Sequence, residues 1–93
     1  MKYAIIVEPE ALKDLENIYN YISGQDSKSK AAIFISELSN SIKSLEDMPY
    51  RCRESYYIDD KDTRDFIYKK YTIVFKIIDA TIHILTIFRQ RNF

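Results

Sequence analysis

Glycine is nearly missing from this chain. One glycine, one cysteine, one histidine, two prolines and no tryptophan occur in 93 residues. Each scarcity removes a class of chemistry. A phosphate-cradling loop needs several glycines close together, which excludes a nucleotide-binding loop. Lone Cys52 and lone His83 cannot build a zinc site, and there is no CxxC pair. No metal or cofactor is expected. Cys52 can form no internal disulfide, which fits a reducing compartment. As a nucleophile it lacks an evident base and reads as a loop thiol. His83 sits among apolar residues and reads as a strand residue with a satisfied side chain rather than as an acid or base. Long apolar runs are missing too. Ala4–Val7 meets Glu8 at once, too short an apolar run for the signal peptide of a secreted protein, so none is expected, and nothing approaches the roughly 18 apolar residues of a membrane span. A cytoplasmic location is expected.

Charge is present in equal amounts, 14 basic and 14 acidic residues, but it is unevenly spread. Residues 1–47 carry five lysines against eight acids, and residues 48–93 carry nine Lys or Arg against six acids. A basic second half permits a polyanion-facing surface without demanding one.

The apolar pattern predicts an α+β fold over residues 1–93, two helices first and an antiparallel sheet after. Lys2–Val7 reads as a strand bounded by Pro9. Pro9 suits the first turn of a helix, with Glu8 and Glu10 at the positive end of the dipole. Leu12, Leu15, Ile18, Tyr19 and Ile22 follow at helical spacing, and Gly24 is placed to end that helix in a left-handed cap. Asp26-Ser27-Lys28-Ser29 offers caps for a second helix along Ala31, Ile35, Leu38, Ile42 and Leu45, closed by Pro49. The short link makes an antiparallel hairpin. Residues 50–63 have no period. From Arg64 the pattern is β: a strand to Lys70, then Tyr71, Ile73, Phe75 and Ile77 on one face, a tight turn at Asp79-Ala80, and Thr81–Phe88 apolar on both faces and therefore central.

The groups left for function are basic: Arg64, Lys69, Lys70, Lys76, Arg89 and Arg91. Arg and Lys bind phosphate and acidic groups, and Tyr68 and Tyr71 lie among them as stacking surfaces. Lysines at strand edges also discourage edge pairing, so these charges read equally as solvated edges. Arg89 and Arg91 leave the end of a buried strand, which fixes their place. Tyr50, Tyr56 and Tyr57 in the irregular segment read either as cover for a small core or as interface residues.

The ordered set Glu8-Pro9-Glu10-Ala11, Asp14-Leu15, Ile18-Tyr19-Asn20-Tyr21-Ile22, Ile42 and Leu45 running to Pro49, Arg64, Tyr71-Thr72-Ile73-Val74-Phe75 and Ile84-Leu85-Thr86-Ile87-Phe88-Arg89-Gln90-Arg91 resembles the RelE/ParE superfamily of toxins from bacterial type II toxin–antitoxin (plasmid stabilisation) operons. The resemblance spans nearly the whole chain. It implies a long α-hairpin packed on a twisted antiparallel sheet of three to five strands, and a cognate antitoxin partner. It also implies one of two activities: cleavage of ribosome-bound mRNA, or poisoning of DNA gyrase without nuclease chemistry. Arg64 and Arg91 match basic positions of the family. Two departures lower the nuclease reading. Thr72 stands where many mRNA interferases have Arg, and Arg89 stands where a histidine often serves as acid or base. Arg89 stays protonated and exchanges protons poorly.

The resemblance therefore implies a growth-inhibiting toxin, with gyrase favoured as its target. The alternative enzyme would be an endoribonuclease with Arg64, Lys69 or Lys70, Tyr71, Arg89 and Arg91 around the scissile phosphate. Tyr71 would then transfer the proton. A third reading is a toxin-like binding module that no longer inhibits growth.

Overall fold

The computed structural model describes residues 2–89. Strand β1 (Ala4–Val7) leads into helix α1 (Pro9–Gln25) and helix α2 (Lys28–Lys43). Single 3-10 turns at Ser44–Glu46 and Pro49–Arg51 precede β2 (Arg53–Glu54), β3 (Thr63–Tyr68), β4 (Tyr71–Ile78) and β5 (Thr81–Arg89). Both helices start as their sequences suggest. Pro9 occupies the first turn of α1, and Ser27 caps α2 by accepting the Lys30 N–H at 3.1 Å. Gly24 does not end α1. The helix runs on to Gln25, Gly24 has no left-handed backbone, and the Asp26 N–H closes the last turn on the Ile22 carbonyl at 2.8 Å. A two-residue link cannot hold a longer cap and still return α2 alongside α1.

The helices cover one face of a five-stranded sheet ordered β1-β5-β4-β3-β2. The expected all-antiparallel sheet is corrected here to a mixed one, because β1 pairs parallel with β5, Ala4 opposite Thr81 through Val7 opposite Ile84. Parallel neighbours need a long crossover, and the hairpin with the three other strands supplies it. The helix-side core joins Ala11, Ile18, Leu38, Ile42 and Leu45 to Ile73, Phe75, Ile77, Ile82, Ile84 and Ile87. Leu12, expected in that layer, points outward at 55% exposure, because the inward line runs through Ala11, Leu15, Ile18 and Ile22.

The central strand is β4, not β5. Ile73, Phe75 and Ile77 face the helices, and Thr72 and Val74 are buried on the other face. The apolar run of β5 has a different cause from burial on both faces. Phe75 pairs with Ile84 but Val74 pairs with Thr86, so Leu85 is an extra residue in β5, a bulge. Before the bulge the even positions Ile82 and Ile84 are buried, and after it the odd position Ile87 is. Phe88 consequently turns away from the main core and packs edge-on against Tyr57, ring centres 5.0 Å apart.

Candidate functional site

The bulge leaves β5 with an uncovered edge, since β1 stops opposite Ile84. Helix α1 closes that gap with a side chain. Asp14 Oδ2 accepts from the Ile87 N–H and the Thr86 hydroxyl, each at 2.9 Å. Asn17, Ile18 and Tyr21 continue the same helix face at the next turns, so α1 and the end of β5 enclose a groove of about 300 Å³. Tyr71, which opens β4, and its register partner Arg89 form the rest of the wall. Arg89 Nη1 approaches the Tyr21 hydroxyl at 3.5 Å, the long limit of a hydrogen bond.

Tyr71 links this groove to an aromatic cluster. Its ring lies 5.4 Å from Phe34 of α2, and Phe34 lies 6.1 Å from Tyr68. Lys69 sits over both Phe34 and Tyr68, at 5.6 and 5.5 Å, and reaches Glu37 at 3.8 Å. Lys69 and Lys70 form the two-residue turn joining β3 to β4, with Lys69 in the left-handed region. Four of the sequence candidates, Lys69, Lys70, Tyr71 and Arg89, thus gather at one end of the sheet.

The other two described candidates lie elsewhere and are engaged. Arg64 on β3 donates to the carbonyls of Cys52 (3.0 Å), Lys61 (3.1 Å) and Tyr50 (3.4 Å), and its guanidinium lies 4.9 Å from the Tyr50 ring. It holds the irregular segment to the sheet. Lys76 pairs with Asp60 at 3.2 Å. Arg91 lies outside the described residues.

Chemically the groove offers a guanidinium and two phenols as hydrogen-bond donors, with Asp14 already occupied by β5. A histidine base is far away. His83 bonds Glu8 at 2.9 Å, and Arg89 lies six positions further along β5, at most about 20 Å of strand. Cys52 is also a poor nucleophile, since burial pushes its thiol up against the opposing pull of Arg51 and Arg64. Among the described residues no three His, Cys, Asp or Glu side chains group as metal ligands, and no helix is long and apolar enough to cross a membrane. The sequence alone assigned Asp14, Asn17 and Tyr21 no role in a site. The signal was available in the spacing Asp14, Ile18, Tyr21, which is one helix face carrying polar groups where a core stripe should be purely apolar.

The sequence profile of the ParE toxin of the parDE type II toxin–antitoxin system matches residues 5–92. The chain belongs to the ParE toxin family. Among solved structures, this ParE-family fold is similar to a chain of the chromosomal ParDE system from P. aeruginosa, with a TM-score of 0.83, 17% identity, and 97% of this chain and 98% of that one covered. It is also similar to a chain of the RelBE2 toxin–antitoxin complex from Mycobacterium tuberculosis, with a TM-score of 0.71, 16% identity, and 99% and 95% covered. No curated protein sequence matches it significantly. The same architecture therefore occurs in solved chains that share few residues with this one.

Proposed function

We propose that this ParE-family chain is a toxin that arrests growth by acting on DNA gyrase, and that a cognate antitoxin holds it inactive. The observation that carries this reading over mRNA cleavage is the engagement of Arg64. A nuclease needs that cation turned towards a phosphate in the transition state. Here its Nε and Nη1 donate to three main-chain carbonyls. A gyrase poison needs a binding surface and no acid or base.

The test is a supercoiling assay with purified gyrase. The expected result is dose-dependent inhibition that the antitoxin relieves. No inhibition, together with mRNA cuts in the ribosomal A site, would assign the chain to the interferases. One observation favours that second reading: Tyr71 and Arg89 are register partners beside Lys69 and Lys70. Arg89→Ala should then abolish cleavage. Normal growth after induction without antitoxin would leave the chain a binding module.

A further inference from the structure

The stretch without a hydrophobic period folds into a strap, residues 55–62, leading from β2 back to β3. Its backbone is tied down along its length. Tyr57 and Ile58 N–H groups both donate to Ser55 Oγ, at 3.1 and 3.3 Å. The Tyr56 N–H donates to the buried Asp65 carboxylate at 3.0 Å, and that carboxylate also holds Arg53 at 3.3 Å. Asp60 accepts from the Thr63 hydroxyl at 2.9 Å and pairs with Lys76.

Most of the side-chain surface on this fixed backbone stays in water, although Tyr57 also packs on Phe88. Tyr56 is 76% exposed, Tyr57 53% and Ile58 41%, flanked by exposed Glu54 and Asp59. Tyr56 lies 3.8 Å from the Arg53 guanidinium, so its ring is held in place while most of it stays in water. Single exposed apolar side chains are ordinary. Three in succession on a preorganised backbone are not, because a partner that binds them spends little on ordering the loop. Tyrosines in such settings are preferred anchors of protein interfaces.

We propose that this strap is the surface by which the toxin grips its protein target, and that the face it meets is basic. From Glu54 to Asp62 there are four acids and one lysine, and among the described residues the Glu54 and Asp59 carboxylates enter no hydrogen bond or ion pair, although Glu54 lies opposite Arg64 in the β2–β3 ladder. The proposal rests on the gyrase reading above: an enzyme that holds DNA presents a phosphate-binding, positively charged surface, and an acidic strap with exposed tyrosine complements it. The sequence candidates for target contact, all cationic, lie outside the strap.

The experiment compares Tyr56→Ser and the double charge reversal Glu54→Lys with Asp59→Lys against wild type. Tyr57 is spared because it packs on Phe88. Growth arrest is read after induction without antitoxin, and supercoiling inhibition is read in vitro. Both variants should melt with wild type, bind the antitoxin as wild type does, lose growth arrest, and need at least about tenfold more protein for half-inhibition, equivalent to one decade in affinity. Unchanged growth arrest in the charge reversal overturns the proposal, as does a wild type that never arrests growth. If wild type arrests growth without inhibiting supercoiling, the gyrase reading fails alone, and loss of arrest in the variants still supports the strap. Should Tyr56→Ser unfold, the charge reversal decides; should Glu54→Lys destabilise the fold by facing Arg64 across β2 and β3, Asp59→Lys alone decides.

Discussion

Asp14→Ala removes two hydrogen bonds with one substitution, and Asp14→Asn separates their charge from their geometry. Both bonds end on the same oxygen, Oδ2, and both donors belong to the part of β5 that β1 does not cover. A bond to an ionised, partly buried group contributes about 1.5–3 kcal/mol, and the low end applies where two donors share one acceptor. Asp14→Ala should therefore cost about 3 kcal/mol, because the Ile87 N–H is left unpaired. Asn can offer a carbonyl oxygen in the same place, so Asp14→Asn should cost about 1 kcal/mol. With a urea dependence of about 2 kcal/mol per molar for a small protein, the midpoints fall by about 1.5 M and 0.5 M. Urea unfolding followed by far-UV circular dichroism measures both. Equal shifts for the two variants, or a shift under about 0.5 M for Asp14→Ala, would refute the claim that this carboxylate closes the edge of β5.

Arg64→Ala should lower stability by about 2 kcal/mol and speed alkylation of Cys52, because three carbonyls lose their donor; Arg64→Lys should not restore either. Loss of toxicity at unchanged stability would instead make Arg64 a target contact. The Asp60 carboxyl is held below its ordinary value, first by the Thr63 hydroxyl, then by the Asp62 N–H and Lys76. Its folded pKa is depressed, so its contribution is full above the ordinary aspartate value and lost as pH falls through the lower folded one. Near-UV circular dichroism of the strap tyrosines should change below about pH 4 in wild type, and Asp60→Asn should lose that transition. Asp79 has a φ of 54° in the β4–β5 turn. Asp79→Gly should raise the melting temperature by a few degrees, about 0.5–1 kcal/mol, as the left-handed strain exceeds the added chain entropy.

The helices were legible because their signals are local. Ala31, Leu38, Ile42 and Leu45 repeat at helical spacing and all prove buried, and Ser27 caps where its position suggests. The parallel pairing of β1 was not legible, since Ile5, Ile6 and Val7 would read the same in either direction and their partner lies over 70 residues away. The Leu85 bulge hid behind an apolar run, because a one-residue shift makes two half-faces look like two full ones. The site was half legible. Tyr71 and Arg89 are found together, while Arg64 is engaged by carbonyls of a segment without a period. A side chain bonded to main-chain atoms leaves no residue-type signature of its partner.

The first strand of this fold is completed only by the last. Chain synthesis runs from the N-terminus at about 5–20 residues per second, and distant pairings form late because loop closure precedes their reward. Until Thr81–Ile84 have left the ribosome, β1 has no neighbour, and until Ile87 follows, Asp14 has nothing to bind. The hairpin can form early, but the groove and the finished sheet cannot. A nascent copy therefore carries the hairpin without the groove, and the interval before its release is one in which a partner already present meets a sheet that is still open.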